Sequence, residues 1–352
     1  MPSFDIVKAS QVSNSFRSRA IVDRYDLSDA KLEERFTGSI DIDFDWNIGV
    51  IVGPSGTGKS TIVKEVFGYI GGQLDEYKPV IELFNEHDLT DVESVLRSVG
   101  FSSVPSWLKP FCVLSNGERM RVELALALLS DDDPIIFDEF TSVVDRQIAQ
   151  IGALATQRAV RKRGKKFIAV ACHYDIIDWL EPDWVFDTKT MTFQDTRGLL
   201  QRPTINFTIH KAKGFWSMFA KYHYLDGSCP TSAAQYVGVT GNNPVAFIAV
   251  MHFPHAKVRN IKRVSRIVVH PEWQGIGIGR LLLEEVGDMY LSSGYRYRIV
   301  TSNPILSHFF NKSEKWKIDR VSRSHKNKGS RCSTQNTVRS KVRTIAAEYI
   351  EV

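Results

Sequence analysis

The chain has 352 residues, 43% of them hydrophobic, which is enough for two cores of ordinary domain size. Its net charge of +5 is too mild to imply a nucleic-acid partner by itself, so the distribution of charge carries more information than the total. Cys112, Cys172, Cys229 and Cys332 lie far apart with no C-x-x-C pair. That argues against a disulfide framework or a zinc site and fits a reducing, cytoplasmic setting. The N-terminal segment has no apolar leader, and no window reaches the ~20 apolar residues a membrane span needs.

In chain order, the apolar run Gly49 to Val52 predicts a strand, followed by a glycine-rich loop and a helix over Ser60 to Phe67. Val80 to Phe84 reads as a further strand. Helical apolar spacing runs from Glu118 to Leu129, and buried strands follow at Pro134 to Phe137 and Lys166 to Cys172. Such alternation predicts a mainly parallel sheet wrapped by helices. The pattern changes after Asp195, and the boundary is placed near residue 201, giving domains 1–200 and 201–352. Beyond it, strands are expected at Ala233 to Val239, Val245 to His252, Val264 to Val269 and Tyr295 to Thr301. A glycine-rich turn and a helix over Arg280 to Leu291 separate the last two.

Gly53-Pro54-Ser55-Gly56-Thr57-Gly58-Lys59-Ser60 satisfies the phosphate-loop pattern G-x-x-x-x-G-K-[ST] between a strand and a helix. Glycines let backbone N–H groups turn inward around the phosphates of ATP, Lys59 neutralises their charge, and Ser60 can ligate Mg²⁺. Ser55, Gly56, Gly58 and Thr61 complete the expected contact set with Gly53. Asp138 and Glu139, at the end of the Pro134 to Phe137 strand, have the types needed to hold Mg²⁺ and to polarise a water respectively.

Leu114-Ser115-Asn116-Gly117-Glu118 resembles the LSGGQ signature of ABC ATPases, and its helix leads into the Asp138 strand at that family's usual separation. Ser142 to Asp145 resembles the D-loop, and His173 the switch histidine. The resemblance covers roughly residues 45 to 180. It implies an ATP-dependent homodimer in which Ser115 and Gly117 of one copy contact the ATP held by the other, with Asp145 at that site and Glu139 and His173 catalytic. The insert between Lys59 and Leu114 is short, and Asn85 is the nearest stand-in for a Q-loop glutamine, which favours the soluble branch of the family. Asn116, Glu118 and Phe140 depart from the family pattern, and Phe16 and Tyr25 are candidates for stacking on adenine.

Arg266 to Arg280 reads as a strand, a turn with Gln274, Gly275, Gly277 and Gly279, and a helix start. This looks like motif A of the GNAT acyltransferases, so the fold expected is an α/β P-loop NTPase domain of ABC type followed by an α+β GNAT fold. The loop N–H groups at a helix N-terminus would cradle the diphosphate of acetyl-CoA or another acyl-CoA, with Ile276 in the loop and Arg280 adding charge. The resemblance implies that the strand is splayed, so that backbone near Val268 and Val269 pairs with the pantetheine arm. The tyrosine acid usual in the family is replaced by Phe310, which leaves His308 and His223 as candidate catalytic groups. The stripe Phe215, Trp216, Phe219, Tyr222, His223, Tyr224 is core or a stacking platform.

Between Lys312 and Arg343 there are eleven Lys or Arg against two acidic residues. This run tracks nucleic-acid phosphates, or is a solvated edge, or meets another acidic partner. The leading reading is an ABC-type ATPase fused to an acyltransferase that modifies or acts on nucleic acid. Two others stay open: an ATP-gated ligand or nucleic-acid clamp with an inactive GNAT-like domain, and a transporter ATPase subunit, against which the short insert counts.

Overall fold

A computed structural model describes residues 3–9, 15–25, 33–68, 74–200, 205–223, 228–255, 258–323 and 343–350. The chain divides into two compact units, Met1–Thr204 and Ile205–Val352.

The first unit opens with β1 (Ser3–Ala9), α1 (Phe16–Tyr25) and β2 (Glu33–Ser39). The two strands pair antiparallel, and Phe4 and Phe36 join a core cluster with Ile51, Trp184 and Phe186. The main sheet has the order β4-β5-β3-β6-β7, built from β3 (Ile48–Val52), β4 (Ile135–Phe137), β5 (Phe167–Ala171), β6 (Trp184–Asp187) and β7 (Thr192–Asp195). All neighbours are parallel except β7, which turns back on β6. Every residue of β3 and β5 is buried because cores lie on both faces, so these strands read as continuous apolar runs. Ile48, Val50 and Val52 face one core and Ile51 the other, the two-residue alternation of a strand.

The helices are α2 (Lys59–Phe67), α3 (Leu89–Ser98), α4 (Val104–Trp107), α5 (Asn116–Leu129), α6 (Arg146–Arg163) and α7 (Ile176–Leu180). One expectation fails: Val80–Phe84 is a 3₁₀ helix, not a strand. Pro79 fixes the turn that starts it, and the Glu82 N–H donates to the Pro79 carbonyl at 2.9 Å. Val80 and Phe84, four apart, are its buried residues, which is helical rather than strand spacing. Asn85 therefore follows a tight turn and not a strand end.

The second unit contains β8 (Thr208–Lys211), α8 (Trp216–Phe219), β9 (Ala234–Thr240), β10 (Asn243–His252), β11 (Ile261–Val269), α9 (Ile278–Ser292), β12 (Arg296–Thr301), α10 (Pro304–Lys312), β13 (Trp316–Arg323) and β14 (Arg343–Tyr349). They form a seven-stranded sheet ordered β13-β14-β12-β11-β10-β9-β8. The pair β11 and β12 is parallel and all others are antiparallel.

Part of the basic run is thus strand. Arg298 ion-pairs with Asp319 and, at 3.4 Å, with Glu348, so β12, β13 and β14 neutralise one another at this edge. Residues 324–342 of the run, Tyr224 and Cys332 lie outside the described residues.

Candidate functional sites

In the first unit, Asp183 ties down the start of β3 by accepting the Asn47 and Ile48 N–H groups at 2.8 Å each. The strand then delivers Gly53, whose φ of +153° and the Thr188 Oγ1 atom only 2.1 Å from a would-be Cβ leave room for no side chain. Gly58 caps α2 at φ +78°, where a Cβ would meet the Phe36 ring at 2.6 Å. Between them, Thr57 Oγ1 donates to the Pro54 carbonyl at 2.8 Å and lies 2.5 Å from Thr188 Oγ1. Lys59 Nζ curls over the loop and donates to the carbonyls of Gly53 and Pro54, both at 2.8 Å. A fixed cation therefore lies over the concave backbone at a helix N-terminus, with Ser55, Gly56, Ser60 and Thr61 around it. That geometry attracts a phosphate.

The order β4-β5-β3 brings Asp138 and His173 to the same carboxyl edge as this loop, where α/β sheets bind ligands. Asp138 is half-buried and its Oδ1 accepts the Glu139 N–H at 2.8 Å. Glu139 and Thr141 hold left-handed backbone, φ +53° and +63°. The cause lies in Phe140: its side chain is fully buried between the Phe137 and Phe167 rings and its N–H donates to Val170 at 2.8 Å, which turns Glu139 outward. His173 is exposed just beyond β5.

Ser115 caps α5 in a reciprocal capping box with Glu118, whose carboxylate accepts the Ser115 N–H at 3.1 Å. Asn116 Nδ2 reaches the Val143 carbonyl at 3.2 Å, and a Cβ on Gly117 would meet Ile148 at 3.1 Å. Asp145 caps α6 by accepting the Gln147 N–H at 2.9 Å. Signature and D-loop segments thus lie side by side within one copy. Phe16 and Tyr25 are exposed on α1, at 87% and 64%.

In the second unit, β11 pairs with β12 only from Ile261 to Val264, whereas on its other edge it pairs with β10 up to Val269. The outer edge of residues 265–269 is therefore open toward β12. Past it, Gln274 Nε2 donates to the Val269 carbonyl at 3.0 Å, and Gly275 and Gly277 take φ +88° and +90° to aim the chain into α9. A Cβ on Gly279 would sit 3.1 Å from Val269, so the helix is pressed on the strand. Val268 and Ile276 are buried. Arg280 is tied to Glu284 at 3.1 Å and rests 5.0 Å from the Phe309 ring centroid.

The family model for the acetyltransferase (GNAT) domain matches residues 232–313. The N-terminal part is similar to curated ABC-type ATP-binding proteins. The chain is an ABC-type ATP-binding domain fused to a GNAT domain. Among the relatives of the ABC half is the phosphonates import ATP-binding protein PhnC 1 of Synechococcus, 25% identical over 159 residues, covering 44% of this chain and 56% of that protein. Another is the zinc import ATP-binding protein ZnuC of Pseudomonas entomophila, 27% identical, covering 40% and 58%. The chain thus spans just over half the length of these relatives. A solved structure similar to the GNAT half is the ribosomal-protein-S18-alanine N-acetyltransferase of Escherichia coli, 15% identical, covering 41% of this chain and 93% of that one, with a TM-score of 0.32. Among the described residues, no helix is long and apolar enough to cross a membrane.

The two histidines singled out for acyl transfer in the GNAT half belong to different segments of the fold. His308 is exposed on α10, and Phe310 beside it is buried against Trp316 at 4.7 Å between ring centroids. His223 lies 5.7 Å from the Trp216 ring. A third histidine has no counterpart among the candidates read from the sequence. His270, next to Val269, has its Nε2 3.1 Å from the Tyr222 hydroxyl and its Nδ1 3.6 Å from Glu272. Its sequence signal is faint: an H-P pair just before the glycine turn, with the partner tyrosine far away in the chain.

Proposed function

We propose that the chain couples ATP binding and hydrolysis in the ABC half to transfer of an acyl group from an acyl-CoA in the GNAT half. The observation that carries this reading is a pair of positive-φ glycine turns, each feeding an α-helix N-terminus from a sheet strand, which suits two diphosphate-bearing ligands.

In the ABC half, Gly53, Ser55, Gly56, Gly58, Lys59 and Thr61 hold the phosphates of ATP. Asp138 and the Ser60 hydroxyl would hold Mg²⁺; a single carboxylate suits this ion, which takes most of its ligands from phosphates and water. Among the described residues no cluster of three or more His, Cys, Asp or Glu makes a dedicated metal cage, which fits that donor set. When bound, the ion offsets charge on the phosphate oxygens. Glu139, turned outward by Phe140, orients the attacking water, and His173 senses the γ-phosphate. Ser115, Gly117 and Asp145 complete the site from a second copy, so a homodimer is the working form.

In the GNAT half, the open edge at Val268 and Val269 pairs with the pantetheine arm. Gln274 to Gly279 cradle the diphosphate, and Arg280 adds charge at the rim. The basic run 312–343 makes nucleic acid a candidate acceptor or guide. Free Cys112, Cys172 and Cys229 suit a reducing cytoplasm.

The test is calorimetry with ATP and acetyl-CoA, followed by labelled acetyl-CoA on DNA, RNA and protein with and without ATP. Acetyl-CoA binding with ATP-stimulated labelling supports the proposal; absence of both bindings ends it. A second reading draws on buried Phe310 in place of the usual acid: the GNAT half binds without transferring, and ATP gates a clamp. Acetyl-CoA bound with no label passed on to any polymer or small amine would favour it.

A further inference from the structure

Two arginines of β11 stand where the sheet opens. The strand pairs with β12 as far as Val264, and its edge is free from Ser265 to Val269. That edge is ~13 Å long, so an arm that starts at the turn 274–279 and follows it ends its course, and carries its thioester, at the apex beside Ser265. Arg263 and Arg266 flank this apex. Three residues apart, they would face opposite ways on a regular strand, but Ala249 pairs with Arg266 and Val250 with Val264, which leaves Ser265 as an extra, bulged residue. The bulge turns both arginines to the face of their partners Ala249 and Met251. The other face carries α9, where Gly279 presses on Val269.

Each guanidinium is held against an aromatic ring and lacks an acid. Arg263 lies 4.6 Å from the Phe253 ring centroid and Arg266 6.0 Å from that of Trp216. Arg266 Nη1 donates to the Ser265 carbonyl at 2.9 Å, and its Nε is buried with no hydrogen-bond partner among the described residues. On β12 the register sets Arg298 beside Arg263. The nearby carboxylates are already committed, since Glu348 takes Arg296 at 2.6 Å and Arg298 at 3.4 Å, and Asp319 takes Arg298. Among the described residues, Arg263 and Arg266 therefore meet no carboxylate, although both are half-buried. A recessed cation without a counter-charge is costly, and a bound anion would offset that cost.

We propose that Arg263 and Arg266 form the carboxylate subsite of the acyl acceptor, and that the acceptor is a small amino acid-like molecule bearing an amine and at least one carboxylate. The assignment rests on the acyl-transfer reading above and deepens it. The planar edge of a ring-stacked guanidinium matches a carboxylate. Two recessed guanidiniums on one strand suit a small anion, whereas the phosphates of a polymer call for an exposed basic track. With its carboxylate held at the apex, the acceptor has its amine within reach of the thioester. The ammonium gives one proton to solvent, and the neutral amine attacks the thioester carbonyl carbon. The C–N bond forms, the C–S bond breaks with its electron pair on sulfur, and the proton then shed by nitrogen passes through solvent to the CoA thiolate. The two arginines bind the acceptor and transfer no proton.

The test uses the full chain with labelled acetyl-CoA and, as acceptors, L-glutamate, L-alanine, L-phenylalanine and the α-amide of each, with single-stranded DNA and RNA beside them. At least one free acid should take the label at least tenfold faster than its amide, even though the amide's less basic amine is more often unprotonated. Arg266→Gln should raise the KM of that acid at least tenfold, with kcat within about threefold and acetyl-CoA Kd unchanged, the pattern of lost ground-state binding. Arg266→Lys keeps the charge and should recover part of that loss. Arg263→Gln gives an independent readout and should raise the same KM at least threefold. Equal rates for acid and amide, label on nucleic acid but on no acid, acetyl-CoA bound with no transfer to any acid, or an acceptor KM unmoved in both glutamine variants would each overturn the subsite. So would transfer to the amides from succinyl-CoA but not from acetyl-CoA, which would put the carboxylate on the acyl group. Failure of the parent chain to bind acetyl-CoA would instead remove the acyl-transfer reading itself.

Discussion

The two glycine turns solve a similar problem with different support. In the ABC half, the turn is walled in: Thr188 and Phe36 close on Gly53 and Gly58, and Lys59 is folded into the loop by two backbone carbonyls. In the GNAT half, the charged residue beyond the turn looks away from it, since Arg280 is paired with Glu284 and its side chain is 59% exposed. What the second turn has instead is a free strand edge beside it. On the function proposed above, a ligand of the first site would be held mainly by charge, and a ligand of the second mainly by backbone hydrogen bonds.

Paired charge deletions test that contrast with the largest effect. Lys59→Ala should lower ATP turnover about 100- to 1,000-fold, the scale of losing a preorganised charge at developing phosphate charge. Circular dichroism should be unchanged, because among the described residues the Lys59 side chain bonds to its own loop. Arg280→Ala should weaken acetyl-CoA binding by only about three- to tenfold, as solvent already screens an exposed cation. Calorimetric loss of all acetyl-CoA binding in Arg280→Ala would break the distinction.

Next in size come paired glycine substitutions. Gly58→Ala combines left-handed strain with a collision against the Phe36 ring, and should cost about 3 kcal/mol from roughly 1–2 for conformation plus 1–3 for overpacking. Gly277→Ala, at φ +90°, carries the same left-handed strain, roughly 1–2 kcal/mol. Urea unfolding read separately in each half by amide exchange decides whether the first turn is the more tightly built.

Both turns were legible in the sequence because glycine spacing between a strand and a helix is local chemistry. So were the buried strands of the ABC half, whose apolar runs are covered on both faces. Val80–Phe84 misled because five apolar-rich residues look alike as strand or helical turn, and only Pro79 and the four-residue spacing of Val80 and Phe84 separate them. The charge of residues 316–323 drew attention from the alternation of Trp316 and Ile318, which makes β13. Tyr222 and His270 are 48 residues apart, and their meeting depends on how α8 lies on the sheet. No spacing rule encodes that.

The cores beneath the turns also differ, on a smaller scale. In the GNAT half the Tyr297 hydroxyl is buried with no hydrogen-bond partner among the described residues. Tyr297→Phe should therefore raise stability by about 1 kcal/mol at neutral pH, by removing an uncompensated desolvation cost. Burial, and then the neighbouring tyrosines, push the Tyr297 phenol well above its ordinary range. Because the folded pKa is raised, the neutral phenol's contribution is intact below the unfolded value of ~10 and is lost as pH rises past it. The advantage of Tyr297→Phe should thus grow above about pH 10, as seen in urea midpoints across the alkaline range; a constant difference would show that Tyr297 is hydrated.

The smallest expected effect concerns one thiol in the same half. Cys229 is buried in the cluster of Phe219 and Val268, and burial raises its pKa while the charge of Arg266 opposes the rise. A thiol reacts as thiolate, so alkylation of Cys229 by iodoacetamide should be slow at neutral pH and should accelerate only above the usual thiol range. Arg266→Gln removes the opposing charge and should slow it by a further few fold, against an unchanged rate at Cys172 in the ABC half, read by mass spectrometry. Faster alkylation of Cys229 in that variant would mean that Arg266 acts chiefly as packing on Trp216, whose ring centroid lies 6.0 Å from its guanidinium.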